Sequence, residues 1–333
     1  MTASARPAAL DPRAEADAVL GDGFAARVLE PSPPFDERDP AYLADDPVNV
    51  EVEGDAVVVS PIANGDRTWD DVVQDRPDLA PFAADRRLTS GRGLEATVPD
   101  GYHEGRLALH RLGVYVLSPA RMAAIGKMAL RPTRAGFGTP FFGADDRQLR
   151  IQDGFLVDQR GADADVHELT TLARAAAAVG VTIDAGKADD FDIPSAGDVE
   201  ADLAVPAEVS SFLADWYGFA SRVLETVRAE TPSEDTPSRV QLWPEHFDPA
   251  FDAGDEGAGR RAGFGASPGD HHEGADPEPY LYVSLWTPDQ VPGDEFWSAP
   301  FGAKLPFAEL VASADHEAAA LDFFRTARVL LAE

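Results

Sequence analysis

The stretch whose reading decides the fold covers residues 241–287. It opens Gln-Leu-Trp-Pro-Glu-His-Phe-Asp (241–248) and continues through Ala-Gly-Phe-Gly-Ala-Ser-Pro-Gly-Asp-His-His-Glu (262–273). It closes on Glu-Pro-Tyr-Leu-Tyr-Val-Ser-Leu-Trp (278–286). In the last segment Tyr280, Tyr282 and Ser284 alternate with Leu281, Val283 and Leu285, the period of two of a strand with one face on a core. The other face is free to meet a ligand.

Working outward, Val209, Phe212, Trp216, Phe219, Val223 and Val227 recur at steps of three and four, which predicts a helix between Pro206 and Arg228 with one apolar stripe. Aromatic residues at that spacing are core more often than a cofactor box. A last helix is expected from about Asp315, with Ala320, Phe323, Phe324, Ala327 and Leu331 on one face.

Upstream, Asp11-Pro12 caps a short helix expected to reach about Leu29. A proline-rich connector follows over 31–40. Residues 48–52 and 56–59, separated by Glu53-Gly54-Asp55, predict a hairpin. The polar segment 64–92 holds one expected helical turn around Trp69. Residues 107–117 look strand-like and end at Ser118-Pro119, a cap and first-turn proline for a helix to about Met128. Strands are expected at 148–151 and 155–157. Asp165-Val-His-Glu168 has capping-box spacing and predicts a helix start.

Ala-Gly-Phe-Gly occurs twice, at 135–138 and 262–265, each time followed by strand-like sequence and then a capped helix. The expectation is an α+β protein of mostly antiparallel sheets flanked by helices, in two similar halves. Residues 1–45 form an N-terminal helix and connector, and 46–333 a single unit with halves near 46–190 and 200–333.

The chain has 333 residues with 59 acidic against 28 basic, a formal net charge of −31, and its 44% hydrophobic content is that of a globular protein. Lys127, Lys187 and Lys304 are the only lysines. So much like charge repels itself and is relieved by screening in concentrated salt. A halophilic, cytoplasmic protein is therefore expected, and nucleic acid is disfavoured as a partner. Without cysteine, disulfides, thiolate metal sites and thiol nucleophiles are excluded. No signal-peptide core or membrane-length apolar run is present.

Arg-Ala-Gly-Phe-Gly-Thr-Pro-Phe-Phe-Gly (134–143), Arg-Gln-Leu-Arg-Ile-Gln-Asp-Gly-Phe-Leu-Val-Asp (147–158), Leu-Trp-Pro-Glu-His-Phe-Asp (242–248), Ser-Pro-Gly-Asp (267–270) and Glu-Pro-Tyr (278–280) together resemble a family of bacteria and haloarchaea known only as a domain of unknown function. The resemblance spans about residues 105–330 and implies an architecture but no activity. The His271-His272 pair departs from the family, which tends to be acidic there.

Several motifs fail on their chemistry. Gly265-Ala-Ser-Pro-Gly269 fits a nucleophile elbow, but Pro268 lacks the N–H that the oxyanion hole needs. Gly136-x-Gly138 and Gly263-x-Gly265 lack the third glycine of a dinucleotide loop and read as turn glycines. His103, His167, His272 and His316 each precede a glutamate, yet none extends to a zincin motif. His167 and His316 are expected in first helical turns.

Two site hypotheses remain. The first is a cytosolic small-molecule-binding or accessory protein, with Trp243, Phe264, Tyr280, Tyr282 and Trp286 lining a pocket near 243–286. The second is a divalent-metal-dependent hydrolase with ligands among His246, Asp248, Asp270, His271 and His272, where imidazoles and a carboxylate leave a position open for water. Adjacent histidines in extended chain point apart, which counts against using both.

Overall fold

A computed structural model describes residues 94–332 apart from 134–135, 141, 143–146, 153, 161–162, 239, 273–275 and 288–294, together with three short strands before residue 60. Those strands are β1 (Ala26–Val28), β2 (Val50–Glu53) and β3 (Ala56–Val59), in the order β1-β3-β2. β2 and β3 are the expected antiparallel hairpin. β1 is parallel to β3, so the expected first helix ends in a strand at 26–28. Its earlier part, and the helical turn near Trp69, lie outside the described residues.

From residue 102 the chain builds the same unit twice. A long helix leads into a five-stranded antiparallel meander, and a helix follows. The first long helix comprises α1 (Tyr102–Leu112), a π-helical turn at Gly113–Leu117 and α2 (Ser118–Ile125). Here the structure corrects the strand expected at 107–117. Val114 to Leu117 is buried on every side, and such a run has no period to separate helix from strand. The π-turn has a local cause in Pro119. A proline inside a helix removes an N–H and crowds the carbonyl four residues earlier, here Tyr115. Widening the preceding turn, with Ser118 N–H donating to Gly113 O, lets the helix continue through it.

The first sheet is β4 (Arg131–Thr133), β5 (Gly136–Gly138), β6 (Arg147–Gln152), β7 (Phe155–Arg160) and β8 (Asp163–Glu168), hydrogen-bonded in that order. β8 replaces the helix start expected at Asp165, and His167 is a strand residue opposite Leu156. The capping residue is Thr171, whose Oγ1 accepts from Arg174 N–H at 3.1 Å to begin α3 (Leu172–Val179). A single turn, α4 (Lys187–Asp190), precedes the segment 191–197.

The second unit starts with α5 (Ala207–Ala229), whose stripe from Val209 to Val227 is buried throughout as its spacing predicts. α5 packs on strands of both sheets, which explains why a second stripe, Leu213, Tyr217, Ala220 and Leu224, is buried too. β9 (Gln241–Trp243), β10 (Asp248–Ala253), β11 (Ala262–Ser267), β12 (Tyr280–Leu285) and β13 (Gly302–Pro306) form the second sheet in meander order. α6 (Phe307–Ala312) and α7 (His316–Ala332) close the described chain.

The two sheets meet edge to edge beside β4 and β9. Leu130 N–H donates to Leu242 O at 2.8 Å, and Leu242 N–H to Leu130 O at 3.1 Å. Each sheet thereby covers an edge of the other. The fold is α+β in two similar halves. The Ala-Gly-Phe-Gly motif is not their shared marker, because it enters the second strand of one sheet and the third of the other. Its glycines lie in strands and not in turns. A Cβ at Gly138 would come 2.4 Å from Leu149 O.

Candidate functional site

One face of α1 carries Tyr102, Arg106 and His110, four residues apart and so about 6 Å apart along the axis. All three are buried, and all three reach loops at one end of the second sheet. Tyr102 OH donates to Pro268 O at 2.7 Å, and Arg106 Nη2 to Asp270 O at 2.6 Å. His110 Nε2 donates to Pro244 O and Glu245 O, each at 3.0 Å. α1 thus fastens the β9–β10 turn and the β11–β12 loop, which lie together because β10 and β11 are antiparallel.

The second sheet contributes tyrosines from β12. Leu281, Val283 and Leu285 turn into the core, while Tyr280 and Tyr282 take the other face, as the alternation predicts. Tyr280 OH donates to Asp270 Oδ1 at 2.7 Å, and Tyr282 OH makes a short hydrogen bond to Asp248 Oδ2. To reach Asp248 the Tyr282 ring crosses Gly265, where a Cβ would lie 2.4 Å from it. That position must be glycine for the contact to exist. Lys304, opposite Tyr282 on β13, places Nζ 4.2 Å from the Tyr280 ring centroid and pairs with Asp276 at 2.6 Å.

From α5, Tyr217 OH donates to Phe247 O at 2.7 Å. Phe247 is buried, with φ of 58°, a conformation that costs a bulky side chain about 1 kcal/mol. Its ring stacks on His110 at 4.8 Å and meets Phe137 edge-on, also at 4.8 Å.

These groups form one electrostatic neighbourhood. Burial raises the Tyr217 hydroxyl, with Tyr102, Arg106 and Asp248 all close enough to act on it. Burial lowers Arg106, which also feels Tyr102, Tyr217, Asp270 and Tyr280. Burial, followed by the nearby Arg106 and His271, lowers His110 to about 3, so its ring is neutral. With Nε2 protonated and given to two carbonyls, Nδ1 is a bare acceptor, and it is buried without a partner. Arg106 Nε and Asp248 Oδ1 are likewise buried and unpartnered.

Burial pushes the Asp248 carboxyl up to about 6, although His246 and the Tyr282 hydroxyl pull it down. The folded protein therefore holds this proton to about pH 6, while the unfolded chain releases it near 3.8. The resulting stabilisation is full below pH 3.8 and is lost as pH rises through 6. In Asp248→Asn, urea melts across that window are expected to lose a fall of about 3 kcal/mol relative to the parent. Parallel pH profiles for the two proteins would contradict the raised carboxyl.

Of the five residues expected to line a pocket, Tyr280 and Tyr282 stand at this junction. Trp243 is close by, paired in register with Asp248. Phe264 instead faces the core, stacked on Phe251 at 5.1 Å. Trp286 is half exposed past the far end of β12, under Arg261 and donating to Asp252 Oδ1 at 3.1 Å. Of the five expected metal ligands, His271 and His272 come together, and with Asp192, which the sequence reading did not include. Asp248 and Asp270 are engaged by tyrosines, and His246 is exposed on its turn. Adjacent histidines do converge here, because the chain bends at His272 and is not extended.

Tyr102, Arg106, His110 and Tyr217 were also missed. The four-residue spacing of the first three was visible, but the strand expected at 107–117 takes in only His110 and leaves Tyr102 and Arg106 outside it, so the shared face appears only once the helix starts at Tyr102. Asp192 carries no sequence signal. Compared with known proteins, the chain matches no family model, no curated protein and no solved structure. The geometry alone bears on function.

Proposed function

We propose that the protein binds a small anionic molecule, a carboxylate or phosphate bearing a hydroxyl or amino group, where α1, α5 and the second sheet meet. The observation that carries this is Arg106. Its side chain is 1% exposed, Nε has no partner, and no carboxylate among the described residues lies within ion-pairing distance. Burying a guanidinium without a counter-ion costs several kcal/mol, and the Asp270 carbonyl, a 3.5 Å contact from Nη2 to His103 Nδ1 and the neighbouring tyrosines offset only part of that. An oxyanion supplies the missing charge and accepts from Nε in the fork geometry that arginine favours.

The neighbouring orphans set the rest of the ligand. His110 Nδ1 accepts from a hydroxyl or N–H, and Asp248 Oδ1 serves a second polar group. On a chain of charge −31, this buried cation is a local exception that selects an anion against the general repulsion. No helix among the described residues is long and apolar enough to cross a membrane. The same proposal places the protein in a concentrated-salt cytoplasm, with the acidic composition as its support.

The test is a thermal-shift and calorimetric panel of small carboxylates, hydroxy acids, amino acids and phosphate esters, run in molar KCl on the parent and on Arg106→Met. A ligand at about 100 times its Kd should stabilise the parent by about 2.7 kcal/mol. The shift should vanish in the variant. A panel that leaves the parent unmoved, or moves both proteins equally, would overturn the proposal.

A further inference from the structure

We infer that Asp192, His271 and His272 form a binding site for a divalent transition metal ion at the rim of the junction. His272 Nε2 lies 3.0 Å and His271 Nε2 3.4 Å from Asp192 Oδ1, and one donor atom from each residue lies within 4.8 Å of the other two. Donors about 2.1 Å from a tetrahedral ion stand about 3.4 Å apart, so little movement is needed to admit one. Two imidazoles and one carboxylate suit zinc, nickel or copper and do not suit magnesium or calcium, which take oxygen donors.

Both loops that bring these ligands are held by the same helix. Arg111 Nε donates to Ser195 O at 2.8 Å, and Tyr115 OH to Pro194 O at 2.9 Å, fixing the segment that carries Asp192. Arg106 Nη2 holds Asp270 O, next to His271. The ligands are thus positioned by α1 before any ion arrives. A plain surface ion pair explains the arrangement poorly. Exposed pairs contribute about 0–1 kcal/mol, too little to bring two imidazole rings to 4.1 Å with both Nε2 atoms on one carboxylate.

The His271 ring stands 5.9 Å from that of His110, nearly perpendicular to it. An ion here borders the anion site and keeps coordination positions open to water or to a donor on the ligand. The inference does not rest on anion binding, because the three ligands need nothing from Arg106 except the position of the loop.

The experiment is calorimetric titration of Zn2+ into chelator-stripped full-length protein in molar KCl with excess Mg2+, which saturates the diffuse acidic surface. Co2+ spectra of the same samples report imidazole ligation. About one Zn2+ per chain is expected, with affinity reduced about 100-fold or more in both His272→Ala and Asp192→Asn. These two side chains are largely exposed, so circular dichroism and melting of the metal-free variants should match the parent. Absence of stoichiometric Zn2+ binding under these conditions overturns the site, as does binding that both variants retain. Zinc binding lost in Asp192→Asn while that variant keeps the parent's anion-induced shift would separate the two sites.

Discussion

Phe247→Ala is expected to lower the free energy of unfolding by about 3–5 kcal/mol. The side chain is fully buried and touches the rings of His110, Phe137 and Tyr217, so truncation leaves a cavity shared by both halves and the junction. The backbone makes the experiment more specific. At φ of 58° alanine keeps the left-handed strain, whereas glycine is free of it. Phe247→Gly should therefore be less damaging than Phe247→Ala by about 0.5–1 kcal/mol, the reverse of the usual order. Chemical denaturation of the three proteins decides it. Equal stability of parent and Phe247→Ala, or a glycine variant weaker than the alanine one, would refute the geometry of this turn.

Arg106→Met has the largest expected effect on function. Removing a residue that serves only the fold should cost stability, but here the two quantities part. The buried guanidinium carries a desolvation penalty that the Asp270 carbonyl and a long contact to His103 Nδ1 do not offset, so an apolar side chain of similar length should leave the free protein as stable or more so. Anion affinity should fall about 100-fold, since a charge-assisted bidentate contact contributes about 1.5–3 kcal/mol and its loss strands the anion in a low-dielectric site. Arg106→Lys, which keeps the charge but not the fork, should recover part of the affinity. A variant that loses stability and affinity together would make Arg106 a structural residue.

The parts of the fold that were legible are those with a period. The stripe of α5 and the alternation in β12 reflect apolar faces on a core, and the hairpin of β2 and β3 was marked by the turn residues Glu53-Gly54-Asp55 between two runs. The strand reading of 107–117 failed because residues 112–117 are buried without a break, which erases the period. Asp165 failed because capping-box spacing also fits a strand whose partner is β7. Tyr280, Tyr282 and the His271-His272 pair, singled out in the sequence, stand at the end of the second sheet that carries the candidate site. Its other half comes from α1 and the 191–193 segment, brought in by packing between the two units. Sequence separations of 134 to 166 residues join His110 to Pro244 and Tyr102 to Pro268, beyond the reach of local pattern. Trp286 and Phe264 show the converse, since Trp286 lies past the far end of β12 and Phe264 turns into the core, both away from the tyrosines of the same sheet.

The most direct test of the central claim is a crystal structure of the parent protein soaked with selenate, a tetrahedral oxyanion located by its anomalous scattering. A peak is expected between α1 and β12, with a selenate oxygen about 2.8 Å from Arg106 Nε. Selenate found only on surface arginines, with Arg106 Nε still unapproached, would contradict it.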